Sequence, residues 1–435
     1  MIKKTLLALS LFFPVIPILG RGGYAILTLL IGMFSLVMIF YNVFLNKKKY
    51  DLSSQKNLLT FLIFLGAMSS LSVFFDVLNG FFAVSYFYQI CFFFIIVTIV
   101  VLFSSVSDNS CRREYELNSY FNFFLKCCFI ISIFSLWEVY YDKSYLITQY
   151  LYKKDRLVIR ELATGTFGIT YFFSYFLLIP IFYYLSLFLR KLNFKSLIMF
   201  LFYTFILLKT QSRTMFLVYF IGIAIFPFFG TAKIIEVRFR YLLFLLFFGS
   251  LFSVCIYIYW EILIESFYYI YNGLDILFQT GFDLSGNSVS SHNIRLNQIL
   301  NALNLQFEVP LIGRGIGSEE GIALESIYSM YIYRYGVISL VLFFVLLGTI
   351  LHRLSYLARV FKHNDTISSF IMSLTCFYFL SPLALTSSAS HDTIRLAVVF
   401  YGFTAIIFAI YKKEKTNDRT NIIGLSNVFR VDSHK

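Results

Sequence analysis

Apolar residues run through this chain in long unbroken stretches rather than in alternation, with short clusters of charged or turn residues between them. Such runs lie at roughly 5–20, 24–45, 58–78, 82–106, 120–141 and 170–189, and again at roughly 196–210, 214–230, 242–264, 326–351, 367–386 and 395–411. A helix of about 20 residues crosses a bilayer. Because lipid offers nothing to unpaired amides, spanning segments are helices or a closed barrel, and continuous runs lack the alternation of a barrel. The pattern predicts an all-α polytopic integral membrane protein with about 12 transmembrane helices in a single membrane domain.

Composition agrees with the pattern. Of 435 residues, 59% are hydrophobic and 20% aromatic, while only 14% are charged, against about 25% in soluble chains. Most cytosolic enzymes are excluded. Lys and Arg resist translocation, so their placement predicts orientation. With the N-terminus inside, the cytoplasmic side collects Lys3, Lys4, Lys47, Lys48, Lys49, Lys56, Arg112, Arg113, Arg190, Lys191, Lys195, Lys233, Arg238, Arg240, Arg353, Arg359 and Lys362. It also collects the basic residues of a tail at 412–435, so both termini are expected in the cytoplasm. The net charge of +13 is then an orientation signal with some attraction to anionic lipid, and it implies no nucleic-acid partner. Cys91, Cys111, Cys127, Cys128, Cys255 and Cys376 lack metal spacing and read as packing residues. Asp76, Lys126 and Arg334 are the main charges inside the spans.

Two external connections are long, at about 142–169 and 265–325, and long loops carry function. The external side holds Arg156, Arg160, Arg213, Arg295 and Arg314, against the rule that should exclude them, which points to an anionic ligand. Arg213 sits in a tight hairpin, Lys209 to Thr214, between two apolar runs, at membrane depth. Arg295 opens a stretch from Asn293 to Phe307 in which Leu296, Ile299, Leu300, Leu303 and Phe307 recur at helical spacing. That spacing predicts an amphipathic helix on the bilayer surface with its apolar stripe centred near Leu303. Gly313, Gly315 and Gly317 surround Arg314, an arrangement able to turn successive amides toward an anion, or simply to form a turn. Outward acidic and histidine candidates are Glu161, Asp283, His292, Glu319, Glu320, Glu325, His391 and Asp392, most of them expected to be solvated. Glu325 differs because it opens a span, where a helix N-terminus favours a carboxylate.

These residues carry a resemblance. Arg160 with Thr164-Gly165-Thr166-Phe167-Gly168, Gln211-Ser212-Arg213-Thr214, and Arg295 with Pro310-Leu311-Ile312-Gly313, Gly315-Ile316-Gly317, Glu325, Tyr328 and Tyr335-Gly336-Val337 resemble the motifs of Wzy-type O-antigen polymerases, within the wider group that includes O-antigen ligases. The chain departs from the ligases, which carry a histidine where Glu325 stands, and Ile169-Thr170 replaces the Asn-Pro that often follows the Gly-Thr-Phe-Gly turn. The resemblance implies transfer of a growing glycan from an undecaprenyl diphosphate carrier to the sugar of another carrier-linked repeat unit, at the periplasmic face of a bacterial inner membrane. A chain-length regulator is implied as a partner.

The chemistry needs developing charge on a departing diphosphate to be neutralised, which arginines do through forked hydrogen bonds. No Asp-x-Asp cluster stands in either long loop, so neither a metal nor another cofactor is expected. Arg160, Arg213 and Arg295 are assigned to the diphosphates, Arg314 and the glycines to an auxiliary role, and Glu325 to the general base, with His292 and His391 as rival bases. A ligase differs in acceptor only. A flippase for lipid-linked repeat units is the reading from another class, and it would concentrate charge at mid-membrane.

Overall fold

The computed structural model describes residues 2–14, 22–45, 50–78, 84–142, 162–229, 239–244, 291–308 and 324–431. It also describes Gly80, Ile147, Leu151, Tyr152, Gly313 and isolated positions between 246 and 271, and gives the backbone alone at 22–25, 75–76, 84–89, 291–294, 305–308 and 418–431. Every regular element among the described residues is helical. In order, the α-helices are α1 (Ile2–Phe12), α2 (Gly22–Phe40), α3 (Lys56–Leu78), α4 (Val84–Ser104), α5 (Ser110–Tyr140), α6 (Thr170–Lys191) and α7 (Phe194–Lys209). They continue as α8 (Arg213–Ile225), α9 (Ser291–Glu308), α10 (Ile327–Tyr335), α11 (Val337–Val360), α12 (Asp365–Ala384) and α13 (Ile394–Val431).

Seven segments among the described residues are long and apolar enough to cross a bilayer: Ile26–Leu45, Leu52–Phe74, Ser110–Tyr140, Thr170–Lys191, Val337–Val360, Asp365–Ala384 and Ile394–Asn417. The chain is an all-α, multi-pass membrane protein. One departure from the expected spans has a local cause. The run at 326–351 is not one helix but α10 and α11, broken at Gly336 with φ 80° and ψ 168°, a region that side chains avoid. Past the last apolar segment, α13 continues as helix through Val431.

Helix starts follow their caps. Asn109 accepts from the Arg112 amide, Asn193 from Lys195, Ser326 from Ser329 and Asn364 from Ile367, each satisfying an orphan N–H. Packing in lipid cannot rely on the hydrophobic effect between helices and uses close contact and interhelical hydrogen bonds instead. Accordingly, Tyr175 and Ser381 hydroxyls meet at 2.6 Å, Tyr378 meets Thr404 at 2.9 Å, Ser186 donates to Ser369 at 3.1 Å, and Ser174 donates to Thr210 at 2.7 Å. Gly222 lets α8 close on α6, since a Cβ there would stand 2.3 Å from the Phe182 ring. The last span is the axis of the bundle: 94% of its apolar window is buried in protein, against 33% for Ile26–Leu45 at the periphery. Cys127, Cys128 and Cys376 are buried as packing residues, whereas Cys91 and Cys111 are exposed free thiols.

The polar contacts sort the connections into two ends. At one end Lys3 donates to the Phe103 carbonyl at 3.1 Å, Lys412 pairs with Asp51 at 2.9 Å, and Arg113 Nε donates to Glu414 at 2.9 Å. Arg353 reaches the Ser54 carbonyl at 3.1 Å, Arg240 the Leu189 carbonyl at 3.4 Å, and Arg190 stands 3.9 Å from Asp365. The starts of α1, α3, α5 and α12, the ends of α4, α6 and α11, and the later part of α13 therefore meet at this basic end. At the other end lie the last turns of α5, α7 and α12 and the first turns of α6, α8, α10 and α13.

Candidate functional site

At the end away from the basic loops, three segments converge: the first half of α9, the start of α10, and the connection between α12 and α13. The face of α9 that meets the protein carries Arg295, Gln298 and Ala302. Ala302 packs on Ile332 and Tyr333 of α10, and Gln298 is buried with its Oε1 accepting from the Glu325 amide at 3.3 Å. Leu300 and Leu303 are exposed. At about 100° per residue Leu303 stands roughly a third of a turn, and Leu300 nearly half a turn, from the protein-facing line. The helix expected on the bilayer surface thus has two faces, one docked on α10 and one apolar and outward.

Arg295 Nε donates to Glu325 Oε2 at 3.3 Å, with the arginine side chain 18% exposed and the carboxylate 44%. Glu325 stands just before the α10 cap, Ser326. Its carbonyl accepts from the Ala389 amide at 3.2 Å, and the Ile327 amide donates to the Leu385 carbonyl at 3.0 Å. Those bonds stitch the start of α10 to the α12–α13 connection. His391, in the short turn Ser390–Asp392, therefore follows two residues after the amide that holds Glu325.

His391 is fully buried between the Phe343 ring, stacked at 5.0 Å, and the Phe400 ring at 5.4 Å. Its Nε2 hydrogen-bonds Tyr331 Oη at 2.8 Å and lies 3.4 Å from Asp392 Oδ1, while Nδ1 is buried without a partner among the described residues. Tyr331 also donates to Asp392 at 3.3 Å. Burial pushes the His391 imidazole down to about 3, because an apolar cage disfavours the cation. Burial pushes the Asp392 carboxyl up to about 7 against the opposing pull of the Arg334 charge and the Tyr331 hydrogen bond. Asp392, expected to be a solvated loop charge, is 15% exposed and lies inside this network.

A second polar cluster occupies the same end around α5 to α8. Glu138, fully buried, accepts from the Thr164 amide at 2.9 Å, the Thr164 hydroxyl at 2.6 Å and the Gly165 amide at 2.9 Å. Those bonds pin the 3-10 turn Gly165–Phe167, which Gly165 and Gly168 permit with φ of +55° and +71°. Ala163 donates to the Lys209 carbonyl at 3.0 Å, joining the turn to the α7–α8 hairpin. Lys209 is nearly buried, with Nζ 5.9 Å from the centre of the Tyr140 ring. Gln211 takes the left-handed conformation at φ +50° that the tight hairpin needs, and Arg213 is the first residue of α8, half-buried.

Of the residues singled out from sequence, Arg295 and Glu325 are in direct contact, and His391 joins them through the backbone. Arg213 opens α8 in the hairpin that Ala163 joins to the Glu138-bound turn. Arg160, Arg314, Gly315, Gly317 and the side chain of His292 lie outside the described residues. Gly313 has φ +77°, and a Cβ there would fall 2.6 Å from the Gly336 amide and 2.7 Å from the Arg334 carbonyl carbon, so its freedom serves a close approach to the α10–α11 break. Glu138, Tyr331, Gln298 and Asp392 are polar residues of these clusters that motif reading did not single out for a role. Among the described residues no group of three or more His, Cys, Asp or Glu could hold a metal.

Comparison with known proteins adds no relative: no family model, no curated protein and no solved structure matches the chain.

Proposed function

We propose that this chain is a surface-polysaccharide polymerase of the O-antigen type, with about 12 spans and both termini in the cytoplasm of a bacterial inner membrane. The substrates in this reading are two undecaprenyl-diphosphate-linked glycans at the periplasmic face. The acceptor hydroxyl oxygen forms a bond to the donor's anomeric carbon as the bond from that carbon to the phosphate oxygen breaks, and undecaprenyl diphosphate leaves with the bonding electrons. The hydroxyl proton passes to a carboxylate.

The observation that carries the reading is the Arg295–Glu325 pair, partly exposed and held by α9 and the α10 cap at the end opposite the basic loops. In the proposed mechanism Arg295 exchanges part of its contact with Glu325 for the leaving diphosphate, freeing the carboxylate to take the acceptor proton. Glu325 suits the base better than His391, because His391 is fully buried and a base must touch the proton it removes. Tyr331, His391 and Asp392 are then positioning residues beneath the pair. Arg213, at the neighbouring cluster, is proposed for the second substrate's diphosphate, and Arg160 and Arg314 for the same charge. The segregation of the basic loops to one end of the bundle supports the orientation.

The test is complementation of a deletion strain, read as polymer length on gels. R295A and E325Q should each lose about two to three orders of magnitude of polymer with the protein retained in the membrane. Long chains from both variants would remove the proposed chemistry. Single repeat units on the lipid A core in the deletion support a polymerase. Retained carrier-linked polymer would instead mean a ligase, and trapped cytoplasmic-face intermediates a flippase.

A further inference from the structure

The basic end of the bundle holds a groove that the polymerase reading leaves unused. α5 opens with polar turns, and where it becomes apolar it keeps one polar line: Asn118, Asn122 and Lys126 follow at i, i+4 and i+8, neighbours along one helix face. Asn122 and Lys126 are exposed. Further along the same face come Phe129, Ile130 and Ile133, all exposed. α1 stands across from the polar part: Lys4 Nζ donates to Ser119 Oγ at 2.7 Å and lies 5.8 Å from the centre of the Phe123 ring. Between the two helices is a cavity of about 320 Å³ lined by Lys4, Tyr115, Asn118, Ser119, Asn122 and Lys126, with no carboxylate among the described residues.

A neighbouring cavity shares Lys4 and Ser119 and adds Lys3, Arg113 and Glu116. There Glu116 is matched by Arg112 at 3.3 Å, Arg113 by Glu414, and Lys3 donates to the Phe103 carbonyl. Lys126 differs. It lies seven residues, about 10 Å, along α5 from Ser119, and among the described residues it has no ion pair. A lysine at that depth is costly unless something anionic meets it or it snorkels to the interface. The groove therefore has the profile of a membrane lipid: cations and amides at the headgroup level, apolar side chains below.

We propose that this groove binds the phosphate of an anionic phospholipid from the leaflet on that side. Lys4 and Lys126 flank the phosphate, the Asn118 and Asn122 amides donate to its oxygens, and the acyl chains run along Phe129, Ile130 and Ile133. The proposal rests on the membrane-spanning architecture and is independent of the catalytic reading. Bound phosphate would tie α1 to α5 through a ligand, in addition to the direct Lys4–Ser119 bond.

The experiment is native mass spectrometry of the full chain released from micelles doped with phosphatidylglycerol or phosphatidylcholine, with and without inorganic phosphate. Wild type should retain phosphatidylglycerol in preference to phosphatidylcholine. A K4Q/K126Q double variant should lower phosphatidylglycerol retention by about tenfold or more, from roughly 1 kcal/mol per lysine near a membrane surface, and leave phosphatidylcholine unchanged. K126R should restore retention, which separates loss of charge from misfolding, and K195Q, on the basic end outside the groove, should behave as wild type. Equal retention in wild type and the double variant overturns the proposal. So does displacement of the lipid by millimolar inorganic phosphate, which would mean a site for the free anion.

Discussion

His391 and Asp392 are adjacent residues with opposite ordinary charges, and burial disfavours both charges. The carboxyl, ordinarily at 3.8, is raised to about 7, so its burial penalty is absent below 3.8 and complete above about 7. The imidazole, ordinarily at 6.5, is lowered to about 3, so its penalty is absent above 6.5 and grows as the pH falls. Between those ordinary values the folded pair is a neutral imidazole beside a protonated carboxyl, while the unfolded pair is imidazolium and carboxylate. Each state holds one proton, so the pair adds no slope to stability there. Asp392→Asn uncovers the histidine alone. Relative to wild type it should lose stability as the pH falls from 7.5 to 5, by up to about 1.4 kcal/mol per pH unit below 6.5. Thermal unfolding at three pH values checks this, and parallel profiles would mean that the imidazole is not held neutral. Glu138→Gln should cost about 1–3 kcal/mol by leaving donors of the Thr164–Gly165 turn unmatched, read as a lower Tm in detergent. Glu138 gave little warning in sequence, since its partners are backbone amides far along the chain. Arg295 and Glu325 were legible because a cation among excluded cations and a carboxylate at a helix start are both local anomalies.

The helices themselves were legible where hydropathy was continuous, and misjudged where one glycine overrode it. Nothing in the apolar run at 326–351 marks Gly336 as a break, because the break arises from a backbone conformation rather than from polarity. Gly336→Ala should cost about 1–3 kcal/mol at that φ and ψ. Gly313→Ala should cost a similar amount, since its Cβ would meet the backbone of Arg334 and Gly336. Gly348 is the control: it lies inside α11 with open space around its Cβ, so alanine there should raise stability by about 0.5–1 kcal/mol. A Tm series over the three variants checks the sign of each. The α9 helix shows a different limit. Its period predicted an apolar stripe, and Leu300 and Leu303 are indeed exposed. The line of Arg295, Gln298 and Ala302 meets α10 only because Ile332 and Tyr333 are there to receive Ala302.

Helices pair through contacts between distant segments, yet the alternation of their ends is already written in the charges. Lys412 meeting Asp51 and Arg353 meeting the Ser54 carbonyl put the N-terminal, middle and C-terminal basic loops at one end. Reporter fusions at Lys56, Lys195 and Lys415 should report the cytoplasmic side and a fusion at Thr386 the opposite side; a split among the first three positions would contradict the arrangement. Hydropathy and charge specified the helical class, most of the long apolar segments and the grouping of basic connections, because a bilayer imposes length, internal hydrogen bonding and charge asymmetry on each segment separately. Packing determined which polar groups share a site. Glu325 lies beside the His391 turn because Ala389 donates to its carbonyl, and Lys4 faces the α5 groove because α1 rests on α5. Both are juxtapositions of residues distant in sequence, set by side-chain fit between helices that no local period encodes.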